Sequence, residues 1–214
     1  MNLMIVVPHP DDEVLGFGGL IQRHAEAGDE VFVNFISAVH GPRMKKQYEQ
    51  FPSVGKLLGY NGRFDRIIPD DENFRLNVTI LENNIQEFKP DVLATTFWGD
   101  NHQDHEYIFK MIRVATRVYA PFLIKKVIVG EILSSTDQAP RLPQFTFIPT
   151  LYVPLHKNQV QKKIKAMDIY DGETMEWPHP RSPHGIMNVA EKRGSECRHS
   201  YAEAFMVLRD IKDI

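Results

Sequence analysis

The sequence predicts an α/β fold of the doubly wound, Rossmann-like type, with a mostly parallel sheet in the order 3-2-1-4-5 and helices on both faces. Short apolar, partly β-branched runs alternate with longer amphipathic segments through residues 1–133, which is typical of repeated βα units. Histidines and carboxylates follow the first and fourth apolar runs, and ligands of such sheets bind at the carboxyl ends of strands. The carboxyl-terminal third follows a less regular pattern.

Apolar runs bounded by Gly, Pro or Asp predict the strands. In chain order these are residues 3–7, 30–36, 64–68, 92–96 and 126–133, followed by 145–148, 151–153 and 204–208. Apolar residues at helical spacing predict the helices between them. These cover residues 15–27, 44–58 with an interruption at Pro52, 76–88, 106–119, 156–170 and 186–193. Residues 37–43 and 177–184 are predicted loops. Because no repeat or linker-like stretch divides the chain, we expect a single domain over residues 1–214.

Composition excludes several classes of function. A net charge of −3 gives no general attraction to nucleic acid, and no apolar run approaches the length of about 20 residues that a membrane span needs. One cysteine, Cys197, rules out an internal disulfide and fits a reducing compartment. The first apolar run lacks the basic segment and the length of a signal peptide. We therefore expect a cytoplasmic protein without nucleic-acid partners, and the sequence leaves a homo-oligomer open.

One imidazole and three carboxylates follow the first predicted strand. They are His9, Asp11, Asp12 and Glu13. Asp and Glu also suit the positive end of a helix dipole, so either aspartate could simply begin a helix, and Glu13 is interpreted in that way. The neighbouring His9 shifts the interpretation, because His and Asp together form a ligand set for a divalent metal.

A second cluster follows the fourth predicted strand. It contains Asp100, His102, Asp104 and His105. In the order 3-2-1-4-5 the first and fourth strands are neighbours, and the crevice opens between them. The two clusters are therefore expected to meet in one crevice, although they lie about ninety positions apart in the chain.

These two stretches resemble the motifs of the PIG-L/LmbE-like family of zinc-dependent N-deacetylases. Residues 8–13 read Pro-His-Pro-Asp-Asp-Glu and residues 102–105 read His-Gln-Asp-His, so both family motifs are intact and in order. The resemblance implies a hydrolase that removes an N-acyl group, most often acetyl, from an amino sugar such as N-acetylglucosamine or from a conjugate of one. It also implies one zinc ion per chain, with another divalent metal as the alternative.

The resemblance assigns roles residue by residue. His9, Asp12 and His105 match the zinc ligands, and two imidazoles with one carboxylate form the open set of a catalytic zinc. Asp11 matches the general base, and His102 would stabilise the oxyanion or protonate the departing amine. Asp104 would orient His102 by a hydrogen bond, as in a hydrolase triad, or alternatively would cap the helix that follows.

Four further residues are candidates for contact with the substrate. They are Arg43, Asp100, Arg181 and His184. Arg43 lies in the loop after the second strand, while Arg181 and His184 lie in a loop that resembles one found in part of the family. A plain surface loop is the alternative for the last two. The helix after Arg43 departs from the family pattern of an Arg and a Glu, which puts substrate contacts from that helix in doubt.

Two other functions compete with the hydrolase. A non-catalytic sugar- or nucleotide-binding domain could keep the same fold, but loss of Asp11 or of a metal ligand would have favoured it and none is lost. A dinucleotide-binding dehydrogenase is disfavoured, because residues 16–19 read Gly-Phe-Gly-Gly and lack the G-x-G-x-x-G spacing. Those glycines are interpreted as close-packing positions between the first helix and the sheet.

Overall fold

A computed structural model describes residues 1–38 and 41–212. The strands are β1 (Asn2–Val7), β2 (Glu30–Ser37), β3 (Asn61–Arg66), β4 (Val92–Thr96), β5 (Lys126–Gly130), β6 (Leu151–Leu155) and β7 (Tyr201–Asp210). The helices are α1 (Asp12–Glu26), α2 (Gly41–Leu58), α3 (Phe74–Phe88), α4 (Gln103–Ala115), α5 (Lys157–Ile169) and α6 (Pro183–Glu196). None of the helices in these two ranges is both long and apolar enough to span a bilayer.

The strands form one sheet in the order β3-β2-β1-β4-β5-β7-β6. The first five are parallel, which confirms the predicted order 3-2-1-4-5. Val6 of β1 pairs with Thr95 of β4, so the carboxyl ends of these two strands lie side by side. The less regular third supplies two antiparallel strands, since β7 pairs with β5 and β6 pairs with β7.

Both faces of β1, an interior strand of the sheet, are covered, as its apolar run predicts. Leu3, Ile5 and Val7 belong to a core cluster shared with α1, α5 and α6. Met4 and Val6 belong to a second cluster, shared with α3 and α4. The alternation follows from the two-residue period of a strand. It fixes β1 between two helical layers and leaves its carboxyl end free to carry the motif loop.

Close packing of α1 explains the run of glycines near its start. A Cβ atom at Gly16 would lie 2.5 Å from the Cδ1 atom of Ile132, and one at Gly19 would lie 2.5 Å from a Cδ atom of Leu155. Real side chains do not approach so closely. Gly16 therefore lets α1 lie against the loop after β5, which brings that loop beside the motif residues, and Gly19 lets α1 lie against the end of β6.

Apart from shifted boundaries, such as that of α6, which begins at Pro183 inside the predicted loop of residues 177–184, the structure differs from the predicted elements in two main places. Residues 145–148 are not a strand: Pro143–Phe145 forms a 3₁₀ turn, and β6 begins only at Leu151. Pro149 precedes it and has no N–H to donate to a neighbouring strand. Helix α2 runs through Pro52 without interruption. It begins at Gly41, inside the predicted loop of residues 37–43, of which residues 39 and 40 lie outside the described ranges.

Candidate active site

The two motif clusters meet in one crevice at the carboxyl ends of β1 and β4. His9 and Asp11 lie in the short turn after β1, and Asp12 begins α1. His102 is the N-cap of α4, and His105 lies in the first turn of that helix. The cleft that these residues line has a volume of about 390 Å³. The fold thus brings together the residues for which the sequence predicted a shared site.

Asp12 lies between two imidazoles. Its Oδ2 atom is 3.3 Å from Nδ1 of His9 and 3.3 Å from Nε2 of His105. Burial raises the pKa of Asp12, but the two imidazoles outweigh burial and hold that pKa well below its ordinary value. For the two imidazoles burial acts in the opposite sense and lowers the pKa. Their carboxylate partners outweigh burial and raise the pKa to about 9 for His9 and about 10 for His105.

The second ring nitrogen of each imidazole is held by another carboxylate. Nε2 of His9 is 2.8 Å from Oδ2 of Asp104, and Nδ1 of His105 is 2.5 Å from Oδ2 of Asp100. Metal-binding histidines in proteins usually have this arrangement, in which one nitrogen faces the metal and the other donates to a carboxylate. The donor set of His9, Asp12 and His105 therefore fits a divalent metal, with Asp100 and Asp104 orienting the two rings.

His102 completes a cluster of three imidazoles. One donor atom from each of His9, His102 and His105 lies within 4.8 Å of the others, and the rings of His102 and His105 stack with centroids 4.9 Å apart. His102 is exposed, unlike the buried His105. The structure therefore contains two overlapping candidate ligand sets, which differ in whether Asp12 or His102 joins the two shared histidines.

Asp104 does not hold the side chain of His102 as the sequence predicted. Its carboxylate contacts His9, and its backbone N–H donates to Nδ1 of His102 at 3.2 Å. The cap of α4 explains the difference, since His102 occupies the N-cap position and Asp104 lies in the first turn. The alternative prediction, in which Asp104 caps the helix, is wrong for the same reason.

The sequence predicted that Asp100 contacts the substrate, but its side chain packs behind the second motif and is not part of the described cleft lining. Its side chain is fully buried. One carboxylate oxygen accepts from the backbone N–H of His102 at 2.9 Å, and the other contacts His105. Both oxygens are therefore engaged in ordering the second motif, and Asp100 acts as a positioning residue.

Asp11 is held in an unusual backbone conformation beside the metal-ligand candidates. Its φ is 123°, which lies in a region of backbone conformation that is energetically unfavourable for any residue with a side chain. The buried carboxylate of Glu13 accepts the Asp11 backbone N–H at 2.9 Å and the hydroxyls of Tyr60 and Tyr170 at 3.0 and 2.5 Å. Glu13 lies in the first turn of α1, as predicted, and it also fixes the turn that presents Asp11.

The groups around Asp11 act on its pKa in opposite directions. Burial, Asp12 and Glu173 raise the pKa of Asp11 well above its ordinary value, while His9 and Arg181 act in the opposite direction. Nη1 of Arg181 is 3.1 Å from Oδ2 of Asp11. This guanidinium favours the ionised carboxylate that a general base requires.

Glu173 is a site residue that the sequence interpretation missed. Its side chain is fully buried, and its carboxylate accepts from Arg43, Gln47 and Arg181, the last at 2.7 Å. Glu173 thereby brings together two residues predicted to contact the substrate, Arg43 and Arg181, and both line the cleft. A single Glu in the turn after α5 carries no local signal that could have revealed this role.

His184 lies outside the described lining of the cleft. It is exposed near the start of α6, and its ring packs edge-on against Trp177 with centroids 4.4 Å apart. The structure places His184 in the first turn of α6, beside Trp177 at the surface, and its contact with the substrate stays a prediction.

Residues 4–116 match the family model PIG-L, described as GlcNAc-PI de-N-acetylase. The chain belongs to the PIG-L family. The matched segment contains both motifs of the site but ends before Glu173 and Arg181. The PIG-L match therefore covers the metal-ligand candidates and Asp11, while part of the cleft wall comes from residues beyond it.

Solved structures share the whole fold at low sequence identity. Teicoplanin deacetylase Orf2 in its zinc-inhibited form aligns with a TM-score of 0.76 and 16% identity over 100% of both chains. N,N'-diacetylchitobiose deacetylase from Pyrococcus horikoshii aligns with a TM-score of 0.69 and 14% identity over 97% of this chain and 83% of its own. GalB, the 4-carboxy-2-hydroxymuconate hydratase from Pseudomonas putida, aligns with a TM-score of 0.75 and 16% identity over 100% and 99%.

A comparison of the sequence with curated proteins gave no match. The solved structures include both deacetylases and a hydratase. Because one fold supports several activities, the function of this PIG-L family member has to be argued from its site.

Proposed function

We propose that the protein is a zinc-dependent hydrolase that removes an N-acyl group, in particular an acetyl group, from an amino sugar or an amino-sugar conjugate. The observation that carries the proposal is the position of Asp11, which lies beside the candidate metal ligands but is not one of them. His9, Asp12 and His105 face one another, while Asp11 adjoins them in the same cleft with Arg181 as its partner.

The donor set supports a zinc ion held by His9, Asp12 and His105. Two imidazoles and one carboxylate leave a coordination position open, as catalytic zinc sites do. A bound zinc ion would polarise the acyl carbonyl and lower the pKa of a coordinated water to about 7. The polar wall of the cleft suits an amide between a sugar and a small acyl group.

Asp11 is proposed as the general base. Its carboxylate is buried and lines the cleft. Arg181 favours its ionised form, and Glu13 fixes the backbone that presents it. Asp11 accepts the proton of the attacking water, which balances the attack on the acyl carbon.

His102 is proposed to act on the opposite side of the acyl group. Its Nδ1 atom accepts from the Asp104 backbone, so a neutral His102 carries its proton on Nε2. Partial desolvation of its ring within the cleft, and then the two neighbouring imidazoles, lower the pKa of His102. We therefore propose a neutral His102 that donates a hydrogen bond from Nε2 to the developing oxyanion, in place of the imidazolium that the sequence alone suggests. The departing amine then takes the proton that Asp11 accepted from the water.

A panel of N-acetylated amino sugars tests the proposed activity. Protein loaded with zinc should release acetate and the free amine from at least one member, and chelator-treated protein should not. Restoring zinc should restore the release. Tight binding of a sugar without release of acetate in any state of metal loading would contradict the hydrolase and favour a binding domain. Hydration of an unsaturated acid, the reaction class of the hydratase with the same fold, would also contradict it.

A further inference from the structure

The backbone carbonyl of Pro8 is held by a tyrosine from α2. Pro8 is buried and follows Val7, the last paired residue of β1, so its carbonyl lies beyond the described register of the sheet. The hydroxyl of Tyr48 donates to this carbonyl oxygen at 3.2 Å. Because a buried carbonyl without a donor costs free energy, the motif turn depends on a side chain that lies 40 positions away in the chain.

The peptide group that joins Pro8 to His9 is thereby bound at both of its polar atoms. Its oxygen accepts from Tyr48, and its N–H, which belongs to His9, donates to Oδ2 of Asp12 at 3.1 Å. The same Oδ2 atom lies 3.3 Å from Nδ1 of His9 and 3.3 Å from Nε2 of His105. The orientation of this one peptide group therefore helps to fix the carboxylate oxygen that lies between the two imidazoles.

The ring of Tyr48 is itself fixed by packing. It lies against Phe64 of β3 with ring centroids 3.9 Å apart, and edge-on against Phe35 of β2 at 6.3 Å. Burial raises the pKa of the Tyr48 hydroxyl, so the group stays protonated and can donate. Since a tyrosine side chain has few rotatable bonds, a packed ring of this kind presents its hydroxyl at a defined position.

The described contact of Tyr48 with the site is made to the backbone of the motif turn. The described lining of the cleft does not include Tyr48, so its hydroxyl is not assigned to the substrate. The surrounding stretch, residues 46–50, is the part of α2 that departs from the family pattern of an Arg and a Glu. Neither of the two family motifs therefore indicates this contact, which only the fold reveals.

We propose that Tyr48 is a positioning residue for the metal-binding cleft. Its hydroxyl holds the peptide group between Pro8 and His9, and through that peptide it holds His9 and Asp12 in the arrangement that binds a metal ion. The inference rests on the proposed function, because it uses the same set of zinc ligands. It adds a requirement that the ligands alone do not impose, namely a hydrogen bond from α2 to the motif turn.

The zinc affinity of Tyr48→Phe tests this assignment. Phe keeps the packed ring and removes only the hydroxyl. Competition with a chelator of known affinity should show zinc bound about three- to tenfold more weakly than by the wild type, which is less than the roughly 10–100-fold expected for loss of a direct partner of a metal-binding histidine. The visible spectrum of bound Co²⁺ should also change, because it reports the arrangement of ligands around the ion.

Tyr107→Phe is the matched control. The hydroxyl of Tyr107 also donates to a backbone carbonyl, that of Asp70 at 3.1 Å, and Tyr107 is outside the described cleft lining. Both variants lose a hydrogen bond of the same kind, so each should show a small decrease in thermal stability. Zinc affinity and the Co²⁺ spectrum should change in Tyr48→Phe alone. Unchanged affinity and spectrum in Tyr48→Phe, or equal changes in the two variants, would overturn the proposal.

Release of acetate separates this inference from the proposed function. Weaker zinc binding by Tyr48→Phe alone, without release of acetate by any zinc-loaded form, would support the positioning role and contradict the hydrolase. Release of acetate by the wild type, with equal zinc affinity in the wild type and Tyr48→Phe, would support the hydrolase and overturn the positioning role. A wild type that binds no zinc would contradict both.

Discussion

The Arg181 guanidinium lies 3.1 Å from the carboxylate of Asp11, although 170 positions separate the two residues in the chain. We expect Arg181→Ala to lower kcat by about tenfold or more, because buried Asp11 would lose the cation that favours its ionised form. Steady-state kinetics on folded protein measures this effect.

Arg43→Ala is the matched control for that substitution. Arg43 pairs with the same Glu173 but is largely exposed, and its described partner is Glu173 and not Asp11. Its removal should therefore affect kcat less than the removal of Arg181. Equal losses in the two variants would show that the contact between Arg181 and Asp11 has no special role.

Metal content separates the two overlapping ligand sets. We expect about one zinc ion per chain in the wild type and in His102→Ala, and little zinc in His9→Ala, Asp12→Ala and His105→Ala, because only the last three would lose a ligand. Elemental analysis of purified proteins gives the answer. Retention of zinc by Asp12→Ala together with its loss from His102→Ala would instead identify the three histidines as the ligands.

The contact between Asp104 and His9 predicts a role in metal affinity. Asp104→Ala should weaken zinc binding by about 10–100-fold, as expected when the carboxylate behind a metal-binding histidine is lost. Competition with a chelator of known affinity measures the change. If Asp104 instead acts through His102, Asp104→Ala should leave zinc affinity unchanged. The losses of rate in Asp104→Ala and His102→Ala should then be strongly non-additive in the double variant.

Glu13 is expected to contribute mainly to stability. Glu13→Ala removes the buried acceptor of two tyrosine hydroxyls and of the Asp11 N–H, so it should lower the free energy of unfolding by about 2–3 kcal/mol. Glu13→Gln keeps an acceptor and should cost less. Urea denaturation compares them, and equal stability of Glu13→Ala and the wild type would exclude this role.

The parallel part of the fold follows from signals that lie close together in the chain. The fully apolar run of β1 predicts a strand buried on both faces, and the alternation of elements predicts the order of the first five strands. Strands at residues 151–153 and 204–208 were predicted, but their antiparallel pairing was not, because Leu151 and Phe205 pair across about fifty residues and neither segment indicates its partner.

The site was predictable where its residues cluster in sequence. His9, Asp12 and His105 were expected to meet because their motifs follow strands that are neighbours in the sheet, and the structure brings them together. Glu173 was missed, since its meaning comes from distant arginines. The partner of Asp104 was also missed, because the side-chain directions in the first turn of α4 depend on which residue caps the helix.

The rate of acetate release by Asp11→Asn, at the same zinc content as the wild type, tests the central claim most directly. Asn is nearly isosteric with Asp but cannot accept the proton of water. The account predicts full zinc content and a rate about 10²–10⁴-fold lower than that of the wild type on the same N-acetylated sugar. Near wild-type release of acetate by zinc-loaded Asp11→Asn would contradict the assignment of Asp11 as the general base of a zinc-dependent deacetylase.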